Sequence, residues 1–324
     1  MSKYFENDKF ESINKAYNST FKPNRLSIGL VVPIENYLYN PVASMHEHIE
    51  MIKLVEELGF SAIWLRDIPF NVPSFGDAGQ MYDPFVYLGL LSGVTSKIAI
   101  GVGSIILPLR HPAHIAKSAA SVDALSGGRL ILGIASGDRP DEYPALNIDY
   151  LSRGEKFRES FEYIRQVWEE NPLFENEFGS LNGSLDMLPK PSGKKVPMLI
   201  TGASQQSPQW LAKNGNGWIT YPRNPKLQGR IIETWREGAK NAGSINKPVS
   251  QSLYIDLDDD FKLSPQAIHL GYRLNTQHLI EHLKSLEKVG VNHVALNLRF
   301  NQADIKTTLK LLAKKVLSEF NEGV

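Results

Sequence analysis

Apolar and polar positions alternate along the chain with two different periods. Short apolar runs rich in β-branched residues recur at 27–33 (SIGLVVP), 60–65 (FSAIWL), 97–107, 129–135, 197–201, 216–220, 250–257 and 291–298, each the mark of a buried strand. Between them the apolar residues recur every three or four positions. Met45, Ile49, Ile52, Val55 and Leu58 form one such stripe, followed by Gly59, which suits a left-handed residue after a helix. Helices are predicted in the same way over 83–95, 112–125, 152–170, 205–213, 225–241, 275–288 and 302–319. Residues 1–26 are polar and aperiodic and read as an N-terminal arm with room for a short helix, and residues 171–196 read as irregular.

Eight apolar strands, each followed by a helix, imply a parallel sheet covered on its outer side. The predicted fold class is therefore α/β: a (β/α)8 TIM barrel with insertions in the C-terminal mouth loops, formed as one domain by residues 27–324 after the arm. An open doubly wound sheet is the alternative and usually has fewer strands. In a barrel the chemistry sits where strands pass into the following loops, here 33–41, 66–82, 108–112, 136–150, 201–207, 221–225, 256–265 and 297–301.

Composition narrows the chemistry. The 324 residues carry 35 Lys+Arg and 35 Asp+Glu, a balance that argues against a nucleic-acid binder. The absence of cysteine excludes disulfides, thiolate metal sites and a cysteine nucleophile. No apolar run approaches the roughly 20 residues that span a bilayer, so no membrane contact is expected. The first ten residues lack the apolar core of a signal peptide, and the expected compartment is the cytoplasm.

Several side-chain constellations are candidates. His46-Glu47-His48 follows the first strand as in some metal-dependent barrel hydrolases, but residues two apart on a helix do not share a face, so no metal is expected. His111 and His114 could share a face, yet neighbouring Arg110 favours helix entry and anion contact over a cation. A G-x-S-x-G nucleophile elbow is missing. Thr201-Gly202-Ala203-Ser204, with Ser207, ends the fifth strand at a helix start, which fits either an anion site or plain capping by Ser204. Gly101 and Gly103 in the third strand fit either a flat ring pressed on the main chain or a packing need inside the barrel.

Residues 54–67 (LVEELGFSAIWLRD), 83–137 (including LPLRHPAHIAKSAASVDALSGGRLILGIASG), 153–168 and 189–218 resemble the bacterial luciferase-like monooxygenase family. The likeness runs from about residue 27 to the end and is weakest after 225. It implies a (β/α)8 barrel with an insertion before the fifth strand, and a cofactor that is reduced FMN used with O2 or the deazaflavin F420. Residue by residue, it implies a cis peptide at Gly103–Ser104 beneath the flavin ring and passage of 133–137, with Ser136 and Gly137, beside the flavin. Gly202, Ala203, Ser204 and Ser207 would hold the phosphate. Where members often carry a phosphate-binding Arg this chain has Ser136, with Arg139 as a substitute three residues on. It also departs after the second strand, where Ile68 stands at a position that is often histidine. That run, with 73–77 (PSFGD) and 136–140 (SGDRP), marks a distinct branch.

The function expected is a flavin-dependent monooxygenase that oxidises a small organic substrate with reduced FMN and O2, with Arg66, Asp67 and Arg110 as candidate catalytic groups near the substrate. A rim salt bridge is the alternative role for Arg66 and Asp67. A separate flavin reductase and a homodimer are the expected partners. The competing functions are an F420-dependent oxidoreductase of the same fold, a non-catalytic flavin-binding barrel, and a metal hydrolase using His46 and His48.

Overall fold

The computed structural model describes residues 9–37, 42–72, 82–193, 195–260, 262 and 264–320; residues 73–77 of the branch-marking run and residues 1–8 lie outside them. Helix α1 (Lys15–Thr20) precedes a regular alternation: β1 (Ser27–Val31), α2 (His48–Glu57), β2 (Ala62–Leu65), α3 (Pro84–Val94), β3 (Ala99–Ile106), α4 (Pro112–Leu125) and β4 (Leu130–Ala135). Helices α5 (Glu142–Ala145) and α6 (Arg153–Val167) lead to an antiparallel hairpin of β5 (Leu173–Asn176) and β6 (Gly179–Asn182). The alternation resumes with β7 (Met198–Thr201), α7 (Pro208–Asn214), β8 (Gly217–Thr220), α8 (Pro225–Asn241) and β9 (Val249–Leu257). A second hairpin, β10 (Gln266–Ile268) and β11 (Gly271–Leu274), precedes α9 (Thr276–Lys288), β12 (His293–Asn297) and α10 (Ile305–Leu311).

Parallel pairing runs β1–β2–β3–β4–β7–β8–β9–β12 and returns from β12 to β1, closing an eight-stranded TIM barrel. The helices start where the chain offers an N-cap followed by proline. Asp83, His111, Ser207 and Asn224 each accept a backbone N–H of the next turn, and Pro84, Pro112, Pro208 and Pro225 stand in that first turn. No helix among the described residues is long and apolar enough to cross a membrane.

Several predicted elements are corrected. The stretch over 171–196 contains the β5–β6 hairpin. The loop after β9 contains β10–β11, and β11 adds parallel to β9. This close approach requires Gly271, where a Cβ would meet the Tyr254 carbonyl oxygen. Helix α2 starts three residues after Met45, because both Glu35 carboxylate oxygens hold the preceding turn, accepting from Ser44 N at 2.6 Å and Met45 N at 2.9 Å. His46 therefore precedes the helix. The last predicted helix stays regular only to Leu311 and continues as a π-helical turn over 312–316 and a 3₁₀ turn over 317–319.

Alternation along the strands sends one set of side chains to the helices and the other into the lumen. Ala62, Trp64, Ala99, Ile131, Leu199 and Ala295 form the inner cluster, and the N-terminal arm packs Ile13, Tyr17 and Phe21 against it. Tyr17 donates to the Asn216 carbonyl at 2.6 Å, and Asn14 Nδ2 donates to Asp123 Oδ1 and the Leu130 carbonyl at 2.9 and 2.8 Å. A polar pair lies in the lumen: Trp64 Nε1 donates to His293 Nε2 at 2.8 Å, and His293 Nδ1 lies 2.7 Å from Ser27 Oγ. Ser27 Oγ donates to the Thr20 carbonyl, also at 2.7 Å. This chain of bonds requires neutral His293 with its proton on Nδ1. Gly29 and Gly101 make room for the pair, since a Cβ at Gly29 would stand 2.9 Å from the His293 ring and one at Gly101 2.9 Å from the Trp64 ring.

Burial pulls the His293 pKa down from 6.5 to about 3. The unfolded chain then binds a proton that the folded chain refuses, so this residue's contribution to stability is complete above pH 6.5 and declines as pH falls toward 3. Urea unfolding followed from pH 7 to pH 4 is expected to show a falling midpoint, with a shallower fall in His293→Gln. Equal slopes for the two proteins would refute this account.

Candidate active site

The C-terminal mouth of the barrel opens into a cavity of about 570 Å³, within the roughly 300–1,000 Å³ common for small-molecule sites. Of the residues singled out in the sequence, Arg66, Asp67, Gly103, Ser104, Ser136, Gly137, Arg139, Gly202, Ala203 and Ser204 line it. Arg110 and Ser207 are not among its lining residues.

The floor and one wall come from β3, β4 and β7. The β3–β4 register shifts between Val102 and Ile105, and the Gly103–Ser104 peptide is cis, as the resemblance implies. Gly103 is exposed to the cavity while Val102 and Ser104 beside it are buried, and a Cβ there would touch only Trp64, at 3.6 Å. Ser104 Oγ reaches across β4 to a short hydrogen bond with Thr201 Oγ1. It can do so because Gly133 lies between them; a Cβ on Gly133 would stand 3.1 Å from Ser104 Oγ and 2.4 Å from the Val102 carbonyl oxygen.

The loop after β7 turns through left-handed backbone at Gly202, Ser204 and Gln205, with φ of 56°, 43° and 59°. Open space surrounds the place of a Cβ at Gly202. The two serines differ in role. Ser204 is buried and its hydroxyl donates to the Thr201 carbonyl at 2.8 Å, so it supports the loop rather than offering a proton to the cavity. Ser207 is exposed and caps α7 by accepting from Trp210 N at 3.2 Å. Ser207 stands outside the cavity lining.

The loop after β4 is braced from within. Tyr143 is fully buried and donates a short hydrogen bond to the Ser136 carbonyl, and its hydroxyl oxygen fills the space that a Cβ on Gly137 would take. Arg139 pairs with Glu142 Oε1 at 3.4 Å, and both line the cavity. Tyr221, after β8, donates to Asp138 Oδ2 at 3.2 Å.

Two of the three candidate catalytic groups form a brace. Asp67 accepts from the Ile106 N–H at 3.0 Å and forms a short ion pair with Arg110, whose other terminal nitrogen meets Asp83 Oδ2 at 3.2 Å. Asp83 is also the N-cap of α3. Arg110 thus ties the ends of β2 and β3 to the start of α3, outside the cavity lining. Asp67 lies at the cavity edge, with its carboxylate turned to Arg110 and the Ile106 N–H. Arg66 points inward and lines the cavity. Burial lowers its pKa and the nearby Tyr254 and Tyr37 hydroxyls raise it, while Arg139 and Arg299 lower it again.

His48 Nδ1 lies 2.7 Å from Tyr87 Oη, and no group of three or more His, Cys, Asp or Glu able to hold a metal occurs among the described residues. His111 caps α4 by accepting from Ala113 N at 3.2 Å, and its Nε2 lies 3.1 Å from the Phe178 carbonyl. Sequence reasoning passed over Trp64, Tyr221, Tyr254 and His269, all of which line the cavity. Trp64 and Tyr254 were legible from strand alternation, Tyr221 follows the sixth strand of the barrel directly, and His269 sits on the hairpin that carried no apolar signal.

With this geometry in view, comparison with known proteins places the chain. The luciferase-like monooxygenase family matches residues 26–260. The chain belongs to this family, whose members are oxidoreductases. A Mycobacterium tuberculosis protein that carries only the description uncharacterized is 34% identical over 226 residues, covering 62% of this chain and 79% of the relative. The F420-dependent hydroxymycolic acid dehydrogenase of the same species is 27% identical over 212 residues, covering 62% and 58%. Among solved structures, an F420-dependent secondary alcohol dehydrogenase with an F420–acetone adduct superposes with a TM-score of 0.74 at 18% identity, covering 91% of this chain and 99% of the other. The oxygenating constituent of 3,6-diketocamphane monooxygenase from Pseudomonas putida, with FMN, gives 0.71 at 15%, covering 90% and 98%.

The brace predicts a stability effect. Arg110→Met leaves the buried Asp67 carboxylate uncompensated and is expected to destabilise the fold by about 3 kcal/mol, measured by urea unfolding. Asp67→Asn in the Arg110→Met background should recover part of that loss. Additive losses in the double variant would remove Arg110 from this role.

Proposed function

We propose that the chain is a flavin-dependent monooxygenase that binds reduced FMN in the mouth cavity and oxidises a small organic substrate with O2. The observation that carries this reading is the open face at Gly103: a mid-strand glycine exposed to a cavity of about 570 Å³, where a flat ring can lie on the backbone. When bound, the reduced flavin supplies the redox chemistry that no side chain here provides. The chain's own residues do the positioning. Gly103 and the Ser104–Thr201 hydroxyl pair present a small, polar platform beside the ring. The left-handed turn at Gly202–Gln205 and the nearby Arg139 are the groups suited to the phosphate. Trp64, Ile219 and Ala295 close the lower end against water. A separate flavin reductase supplies the reduced cofactor in this reading.

F420 is the second reading, favoured by the names of relatives such as the hydroxymycolic acid dehydrogenase. The platform serves either ring, so a direct comparison of the two decides. Titration with FMN and with F420, followed by ligand fluorescence, is expected to show saturable binding of FMN and weaker binding of F420. Gly103→Leu is expected to lower FMN affinity at least a hundredfold without a change in melting temperature. Binding of F420 alone would overturn the FMN reading, and full FMN affinity in Gly103→Leu would move the ring elsewhere.

A further inference from the structure

The mouth of the cavity has two unlike walls. One, built by β3, β4 and β7, carries the glycine platform described above. Another comes from the parallel pair β9 and β12, whose residues Ser250, Ser252, Tyr254, Ala295 and Asn297 all line the cavity. Alternation along the strands explains why. Leu253, Ile255 and Leu257 on β9, and Val294, Leu296 and Leu298 at β12, belong to the main hydrophobic core, so the residues between them face the barrel interior. In register, Ser252 stands beside Ala295 and Tyr254 beside Asn297.

The charged residues that line the cavity are engaged. Asp67 pairs with Arg110, Glu142 with Arg139, and Asp138 accepts from Tyr221; Arg66 is not free either. The unused donors on the β9–β12 wall are neutral. Asn297 is 2% exposed, and its Oδ1 accepts the Arg299 N–H at 3.0 Å. Only the oxygen of an amide can accept, so this bond fixes the orientation of the group and leaves Nδ2 with both its protons. Nδ2 donates to no group among the described residues. Tyr254 is 7% exposed and packs its ring on His269, with centroids 5.6 Å apart. Its hydroxyl has no hydrogen-bond partner among the described residues either.

A buried donor without an acceptor is costly, and a site keeps one where a bound group completes it. Two neutral donors on neighbouring strands suit an oxygen that has two lone pairs and no full charge. A carboxylate would leave water and meet no unengaged cation on this wall, and an ammonium would meet the amide as a donor. We propose that the substrate of this chain is a neutral carbonyl compound, its oxygen held by Asn297 Nδ2 and the Tyr254 hydroxyl. The proposal rests on the monooxygenase reading and deepens it: with the redox ring on the Gly103 platform, the β9–β12 wall is left to the substrate.

Three molecules with one ring separate the charge states. Cyclohexanone, cyclohexanecarboxylate and cyclohexylammonium are titrated calorimetrically into the full chain at neutral pH, with and without saturating FMN. Cyclohexanone is expected to bind saturably and about tenfold or more tightly than either ion. Asn297→Asp keeps an acceptor for the Arg299 N–H but removes the amide donors, and is expected to weaken cyclohexanone by about tenfold while FMN affinity stays unchanged. Asn297→Ala acts in the same direction and serves where Asn297→Asp fails to fold. Tyr254→Phe keeps the ring and is also expected to weaken the ketone. Binding of either ion as tight as that of the ketone, no saturable ketone binding in either form, or undiminished ketone binding in the folded Asn297 variants or in Tyr254→Phe would overturn the proposal. Loss of FMN affinity in Asn297→Asp would assign the amide to the cofactor and overturn it too. Failure of the cofactor reading shows separately, as absence of FMN binding to the unaltered chain, and the cofactor-free ketone titration still reports on Asn297.

Discussion

The volume inside eight strands governs this molecule. A closed parallel barrel of this size leaves a lumen that a few large side chains can fill. Here Trp64, His293 and Ile219 are the large groups, and Gly29, Gly101 and Gly133 are the positions that yield to them. Each of these glycines would place a Cβ within 3 Å of one of those rings or side chains, or of a neighbouring strand's carbonyl. The lower lumen is thus packed solid and capped by the arm through Tyr17 and Phe21. Toward the mouth the same glycine pattern continues at Gly103, but no large partner answers it, and the unfilled volume becomes the cavity. Core and site are two ends of one packing solution.

Polar groups obey the same division. Deep in the lumen His293 is held neutral by burial and by a chain of donors and acceptors that admits a single tautomer. At the rim, charge is allowed but tied down: Arg110 joins two carboxylates from different loops, and Asp67 also takes the Ile106 N–H. Such a brace is a weak source of net stability, because both charges had to leave water, but removing one partner is costly. Its value is positional. It fixes the end of β2 against the bulged end of β3, and so sets Arg66 on one side of the cavity and the Gly103–Ser104 step on the other.

The barrel was legible because its signals are local. Eight apolar runs and the stripes between them report burial on both faces of a strand and one face of a helix, and cap–proline pairs such as Asp83-Pro84 and Asn224-Pro225 punctuate them. The β10–β11 hairpin was not legible, since its strands are short, largely exposed and defined by pairing to β9 rather than by an apolar pattern. The site was legible in part. Glycines and small hydroxyl residues at strand ends mark where a backbone is approached, which pointed to Gly103, Ser104 and Gly202. Which arginine faces the cavity and which is a brace depends on contacts across 43 residues for Asp67–Arg110, and sequence spacing holds no record of them. The serines show the same limit, because hydroxyls three residues apart at a helix entry have several backbone partners available.

A formal net charge of zero therefore says little about the mouth. The carboxylates Asp67 and Glu142 are held against Arg110 and Arg139, and Asp138 is held by a tyrosine hydroxyl, so the acidic groups that line the cavity among the described residues are already engaged. On the far side, burial raises the Tyr37 pKa to about 12 although Arg66 and Arg299 nearby pull it down, so that hydroxyl stays neutral. Electrostatics and packing thus meet at one rim: the brace that holds Asp67 against Arg110 also takes the Ile106 N–H, and so fixes the β3 end that carries the Gly103–Ser104 step.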